Sequence, residues 1–123
     1  MTDRELLEFA AKAAGYKKYY THYLGRDSFV TYDEEYYSEV KKRRVVGEKT
    51  LDWNPLTDDG DALRLAVKLG IEIIPDLQVN EVRTAFMVGI YGYNTAEQIG
   101  TDRIAAIRRA IVRAAAEIGR RMK

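Results

Sequence analysis

The sequence predicts an α+β fold within the broad α/β class: a single-domain helix-sheet-helix sandwich in the order α-β-β-α-β-β-α, with a mainly antiparallel four-stranded sheet. Three segments place apolar residues at helical spacing behind residues that cap helices. Between them, aromatic and β-branched runs come in closely spaced pairs, which favours hairpins. No repeat, low-complexity segment or linker divides the 123 residues, so one domain over 1–123 is expected.

Thr2-Asp3-Arg4-Glu5 has capping-box spacing, and Leu6, Leu7, Ala10, Ala13 and Ala14 follow at helical intervals, so a first helix is read over 3–14. Gly15 closes it. Residues 16–24 and 29–32 read as strands joined through Gly25-Arg26-Asp27-Ser28. Pro55 disfavours the α conformation at Asn54, and Thr57 or Asp58 then caps a second helix, with Asp58, Asp59 and Asp61 at the positive end of its dipole. Ala62, Leu65, Ala66 and Leu69, flanked by Leu63 and Val67, form its buried stripe, and Gly70 stops it. Strands are read at 71–74 and 81–88, with a turn at Pro75-Asp76. Gly89, Gly92, Asn94 and Gly100 break up the chain before Thr101, the expected cap of a long last helix. One face of that helix carries Ile104, Ile107, Ile111, Ala114, Ala115, Ile118 and Met122.

Residues 33–52 resist this treatment. Asp33-Glu34-Glu35-Tyr36-Tyr37-Ser38-Glu39 and Lys41-Lys42-Arg43-Arg44 are dense in charge and keep neither period, so a long exposed charged loop is expected. Loops of that length are uncommon and often functional, which makes Tyr36, Tyr37, Lys41, Lys42, Arg43 and Arg44 the candidate partner-binding residues.

Composition is that of an ordinary globular chain, with 46% hydrophobic and 32% charged residues. The absence of cysteine excludes disulfides, thiolate catalysis and cysteine-based zinc sites. No stretch approaches the roughly 20 apolar residues of a membrane span. The N-terminus lacks the order of a signal peptide, so a cytoplasmic location without membrane partners is expected. Net charge is only +1, but residues 51–100 are rich in acids and residues 102–123 in arginines, which leaves two readings, attraction between the two regions or a nucleic-acid footprint on the basic tail, of which attraction is the expected one.

The catalytic inventory is thin. Only Ser28 and Ser38 supply serine hydroxyls, neither within a nucleophile elbow, and His22 is the sole histidine. Asp58-Asp59-Gly60-Asp61 fails the calcium-loop pattern, because aligning Gly60 with its glycine puts Pro55 first and Ala66 last. Gly47-Glu48-Lys49-Thr50 fails the phosphate-loop pattern at Glu48, and Gly89-Ile90-Tyr91-Gly92 lacks the full dinucleotide fingerprint. No cofactor, metal or catalytic residue is assigned. Nine tyrosines, seven of them between 16 and 37 and interleaved with lysines, leave two readings: packing on the sheet, or stacking that gives weak nucleic-acid binding.

Trp53-Asn54-Pro55-Leu56-Thr57-Asp58-Asp59-Gly60-Asp61-Ala62-Leu63-Arg64-Leu65-Ala66-Val67-Lys68-Leu69 and Arg109-Ala110-Ile111-Val112-Arg113-Ala114-Ala115-Ala116-Glu117-Ile118-Gly119 resemble the phage ABA sandwich family of small phage and prophage proteins. The two motifs cover about a quarter of the chain. The resemblance implies a helix-sheet-helix sandwich and a phage or prophage origin, and it carries over no catalytic residues. The chain departs from the family most in 33–50.

The expected function is therefore a non-enzymatic accessory domain that binds a phage or host macromolecule. The alternatives are a small enzyme built on Asp58, Asp59, Asp61 and the tyrosines, and a structural homo-oligomeric subunit. A concave pocket gathering those groups would favour the enzyme, and a flat exposed aromatic or basic patch the binder.

Overall fold

The computed structural model describes residues 1–23 and 25–122. The order is α1 (Asp3–Ala13), β1 (Lys18–Tyr23), β2 (Arg26–Ser38), β3 (Arg43–Asp52), α2 (Asp59–Leu69), β4 (Glu72–Asp76), β5 (Glu81–Val88), β6 (Tyr91–Gln98) and α3 (Arg103–Arg121). The α+β class is as expected, but the strands form two three-stranded antiparallel sheets, β1-β2-β3 and β4-β5-β6, not one of four.

Both missing strands have a physical cause. The segment read as a loop at 33–52 is the outer part of β2 and all of β3, paired in register from Phe29–Asp52 to Ser38–Arg43. Most of its side chains are exposed, so no buried face imposes an alternating pattern. The segment read as broken by Gly92 and Asn94 is β6, whose inward side chains Tyr93, Thr95 and Glu97 are polar-tipped rather than aliphatic. Pro75 lies inside β4 on an edge strand, where a missing N–H is tolerated, and the turn falls at 77–80 instead. Arg26 already belongs to β2; Leu24, read as the end of the first strand, and Lys123, in the basic tail, lie outside the described residues.

The helices form where capping chemistry places them. Thr2 accepts from the Glu5 amide while the Glu5 carboxylate accepts from the Thr2 amide, completing the capping box. Asp58 caps α2 through the Asp61 amide at 2.8 Å, and Gly70 closes it at φ 66. The cap of α3 is Asp102, not Thr101: its carboxylate accepts from the Ala105 amide at 2.9 Å. Leu63, Val67 and Ile104 stay exposed, whereas Ala106, Ala110, Val112 and Ala116 are buried, so the packed face of α3 is rotated toward its alanines.

That rotation explains the core. Leu6, Leu7, Ala10, Ala11 and Ala14 of α1 meet Ala114, Ala115, Ala116 and Ile118 of α3, and the cluster extends to Val30 and Trp53 on one side and Phe86 on the other. Small residues let the two helix backbones approach closely. One cluster thus draws on both sheets, with Val82, Ile99, Ala106 and Ala110 forming a satellite. The buried face of β4-β5-β6 carries Val82, Thr84 and Phe86, and the opposite face is mostly open.

Candidate nucleic-acid interface

The pairing of β1 with β2 ends at Lys18–Thr31, whereas β2 and β3 remain paired as far as Ser38–Arg43. Residues 32–49 therefore form a two-stranded arm. Its seven residues per strand reach about 24 Å at about 3.4 Å per residue. Such a ribbon buries little on either face, so its stability comes from its base and its cross-strand pairs.

The base is clamped. Lys17 Nζ lies 3.2 Å from Glu48 and 3.6 Å from Asp33, and those carboxylates raise its pKa above the ordinary lysine value, chiefly through the hydrogen bond to Glu48. Tyr16 and Tyr19 meet the Trp53 ring edge-on at 5.4 and 6.2 Å, and Tyr32 lies 6.2 Å from Tyr16. Burial raises the phenol pKa of both Tyr16 and Tyr19. These tyrosines pack around Trp53 and do not form an open stacking platform. Farther out, the Tyr36 ring lies over Gly47, where a Cβ would sit 2.7 Å from Cε1, and Lys49 Nζ stands 5.2 Å above the same ring.

Charge is sorted along the arm. Asp33 and Glu48 pair with Lys17, Glu34 with Lys49 at 3.8 Å, and Glu35 with Arg44 at 4.0 Å. Lys41, Lys42 and Arg43 make no ion pair among the described residues. They follow Glu39, which makes no ion pair among the described residues either, and Val40, which is 94% exposed, at the turn between the strands. Lys42 adopts φ 51, a conformation that costs a side-chain-bearing residue about 1 kcal/mol. Of the six candidate residues, Lys41, Lys42, Arg43 and Arg44 thus gather at the tip, Tyr37 is 53% exposed beside them, and Tyr36 is partly covered by Lys49.

The aspartates of α2 have other work. Asp61 is 9% exposed; it accepts from the Asn54 amide at 3.0 Å and from Arg64 at 2.8 Å. Asp59 holds Arg108 at 2.6 Å, and Arg108 donates to the Leu56 carbonyl, tying α2 to α3. Asp58 and Asp61 do border an open groove of about 980 Å³ with His22, Asp27, Asp52 and Arg64. Both are committed to the start of α2, and Asp59 is not in the groove. Tyr16, Tyr19, Tyr32, Tyr36 and Tyr37 do not line it, and no group of three histidine or carboxylate side chains suited to a metal occurs among the described residues. The arginines of α3 meet the acids they were expected to attract: Arg113 and Arg109 share Glu97 at 3.1 and 3.6 Å.

Sequence reasoning singled out the tip but missed its presentation on a ribbon. The signal present was Gly47, flanked by β-branched Val45, Val46 and Thr50. No helix is long and apolar enough to cross a membrane among the described residues. No family model, curated protein or solved structure matches the chain.

Proposed function

We propose that this chain is a non-enzymatic accessory domain that binds a nucleic-acid duplex through the β2–β3 arm. The observation that carries the reading is the arm itself: solvent on both faces, Asp33, Glu34, Glu35 and Glu48 paired along its length, and at its end three bases against the single acid Glu39, none of them ion-paired among the described residues. A major groove about 12 Å wide admits a two-stranded ribbon, and cations at the ribbon's tip then lie against the phosphates. Contacts of this kind position a protein without reading sequence. A positive-φ Lys42 fits the same reading, because glycine would relieve the turn but remove a charge. A duplex fits better than a single strand stacked on tyrosines, since Tyr16 and Tyr19 pack against Trp53 and Tyr32 against Tyr16.

A phage or prophage origin, and action in the host cytoplasm, remain part of this proposal. They rest on the residues of 53–69 and 109–119 that resemble the phage ABA sandwich family. The full helix-sheet-helix layering implied by that resemblance belongs here too.

The test is fluorescence anisotropy with a labelled duplex of about 20 base pairs over a salt series. Binding should weaken with a log–log slope of about −3, as three phosphate contacts require. The triple variant Lys41→Ala/Lys42→Ala/Arg43→Ala should lose that slope. Binding that the triple variant retains in full, or no binding at tens of micromolar (about 50 μM) in low salt, contradicts the proposal.

A further inference from the structure

The second sheet ends on β6, and its free edge borders a groove. Val88 pairs with Tyr91 across the two-residue turn Gly89-Ile90. In such a hairpin the closing pair exchanges both backbone hydrogen bonds, and the pairs alternate from there. Tyr91, Tyr93, Thr95 and Glu97 therefore bond inward to β5, and the N–H and C=O groups of Gly92, Asn94, Ala96 and Gln98 point away from the sheet. Pro75 checks the assignment: Val82 bonds toward β6, so its partner Pro75 in β4 has its missing N–H on the outer side, where no ladder bond is lost. One edge of this sheet carries that proline. The β6 edge has neither proline nor lysine, and Gly92, Asn94, Ala96 and Gln98 are all exposed and uncharged.

A cavity of about 340 Å³ runs beside this edge, with Tyr93, Asn94, Thr95 and Ala96 on one side and Arg113, Glu117 and Arg121 on the other. Leu6 and Phe86 supply an apolar floor. The helical wall carries an excess of positive charge. Glu97 is shared by Arg109 and Arg113, Glu117 by Arg120 and Arg121, and Asp3 joins Arg109, so four guanidiniums face three carboxylates. Arg121 also lies 4.1 Å over the Tyr93 ring, which holds its charge at the mouth of the groove.

We propose that β6 and α3 form a peptide-docking groove in which an extended acidic segment of a partner protein adds as a fourth strand. Backbone bonds to Asn94 and Ala96 supply affinity in this mode, and alternate side chains of the guest supply specificity. On the groove side, the guest's acidic groups meet Arg113 and Arg121, and its alternate apolar groups lie on the opposite face of the sheet. This site lies on the second sheet, and the basic arm takes no part in it.

The probes are fluorescent octapeptides of alternating valine and glutamate, of alternating valine and lysine, and of valine and glutamate with alternate amides N-methylated. Titrated into the full chain, the glutamate peptide should bind saturably, and the lysine and N-methylated peptides at least about tenfold more weakly. Ala96→Pro, which copies the proline tolerated in β4, should weaken binding by a similar factor, and Arg113→Glu should reverse the preference between the two charged peptides. The N-methylated peptide tests the mode on the unaltered chain, whether or not Ala96→Pro folds. No saturable binding, equal binding of all three peptides, or self-association of the chain abolished by Ala96→Pro would overturn the proposal; the last would assign the edge to a second copy.

Discussion

Gly119 of α3 sits directly against the Phe9 carbonyl of α1: a Cβ there would overlap the Phe9 oxygen and lie 2.8 Å from its carbon and 3.3 Å from the Ala13 amide nitrogen. Backbone, not a movable side chain, fills the space. Helix propensity favours alanine over glycine by about 1 kcal/mol, but forcing two packed helices apart costs about 3 kcal/mol or more. We therefore expect Gly119→Ala to destabilise the protein, measured as a lower urea midpoint with an unchanged slope.

Gly47 offers the contrasting case. Its would-be Cβ meets Cε1 of Tyr36, the far end of a side chain on an exposed arm. The ring can swing outward into solvent, so Gly47→Ala should change stability by less than about 1 kcal/mol. Its readout is local: the Tyr36 ring resonances should shift while those of Leu6 and Phe86 do not.

Asp61 joins the turn before α2 to the helix itself. Removing its carboxylate leaves the part-buried Asn54 amide unpaired and leaves Arg64 only the longer ion pair with Asp58 at 4.0 Å. Asp61→Ala should cost about 1–3 kcal/mol, and Asp61→Asn less, since its amide oxygen still accepts. Thermal unfolding of the two variants against the parent checks the order.

Burial raises the folded-state phenol pKa of Tyr16 and Tyr19 above the ordinary 10.0, so above that pH the unfolded chain deprotonates first. The stability tied to these phenols is thus fully present below pH 10.0 and is lost as pH rises through the folded-state values. Lys17 has the same sign: its contribution is present below its ordinary value of 10.5 and falls above it. Urea unfolding across the alkaline range should show declining stability, and Tyr16→Phe should make the decline shallower.

These relationships also mark what could be read from the chain. The capping box at Thr2–Glu5, the Asp58 cap and the Gly70 stop are local chemistry, and the helices follow from them. The choice of buried face was not local: Leu63 and Val67 are apolar yet exposed, because the neighbours of α2 reach Ala62, Leu65, Ala66 and Leu69 but not the flanks of that stripe. At the arm, a strand exposed on both faces leaves no two-residue period, so its charges looked like a loop. Tyr36, Tyr37 and Lys41–Arg44 were legible as a cluster, but only the pairing of β2 with β3 shows how they are presented.

The most direct measurement shortens the arm: residues 35–46 are replaced by Asn-Gly, so that Glu34 and Gly47, which alternate in phase with the bonded pair Ser28–Trp53, close the new turn, and thermal unfolding and duplex binding are recorded on the same sample. The core cluster takes nothing from the removed segment, so the transition temperature should stay within about 5 °C of the parent while duplex binding disappears. A shortened chain that is folded and still binds the duplex with unchanged affinity would contradict the account.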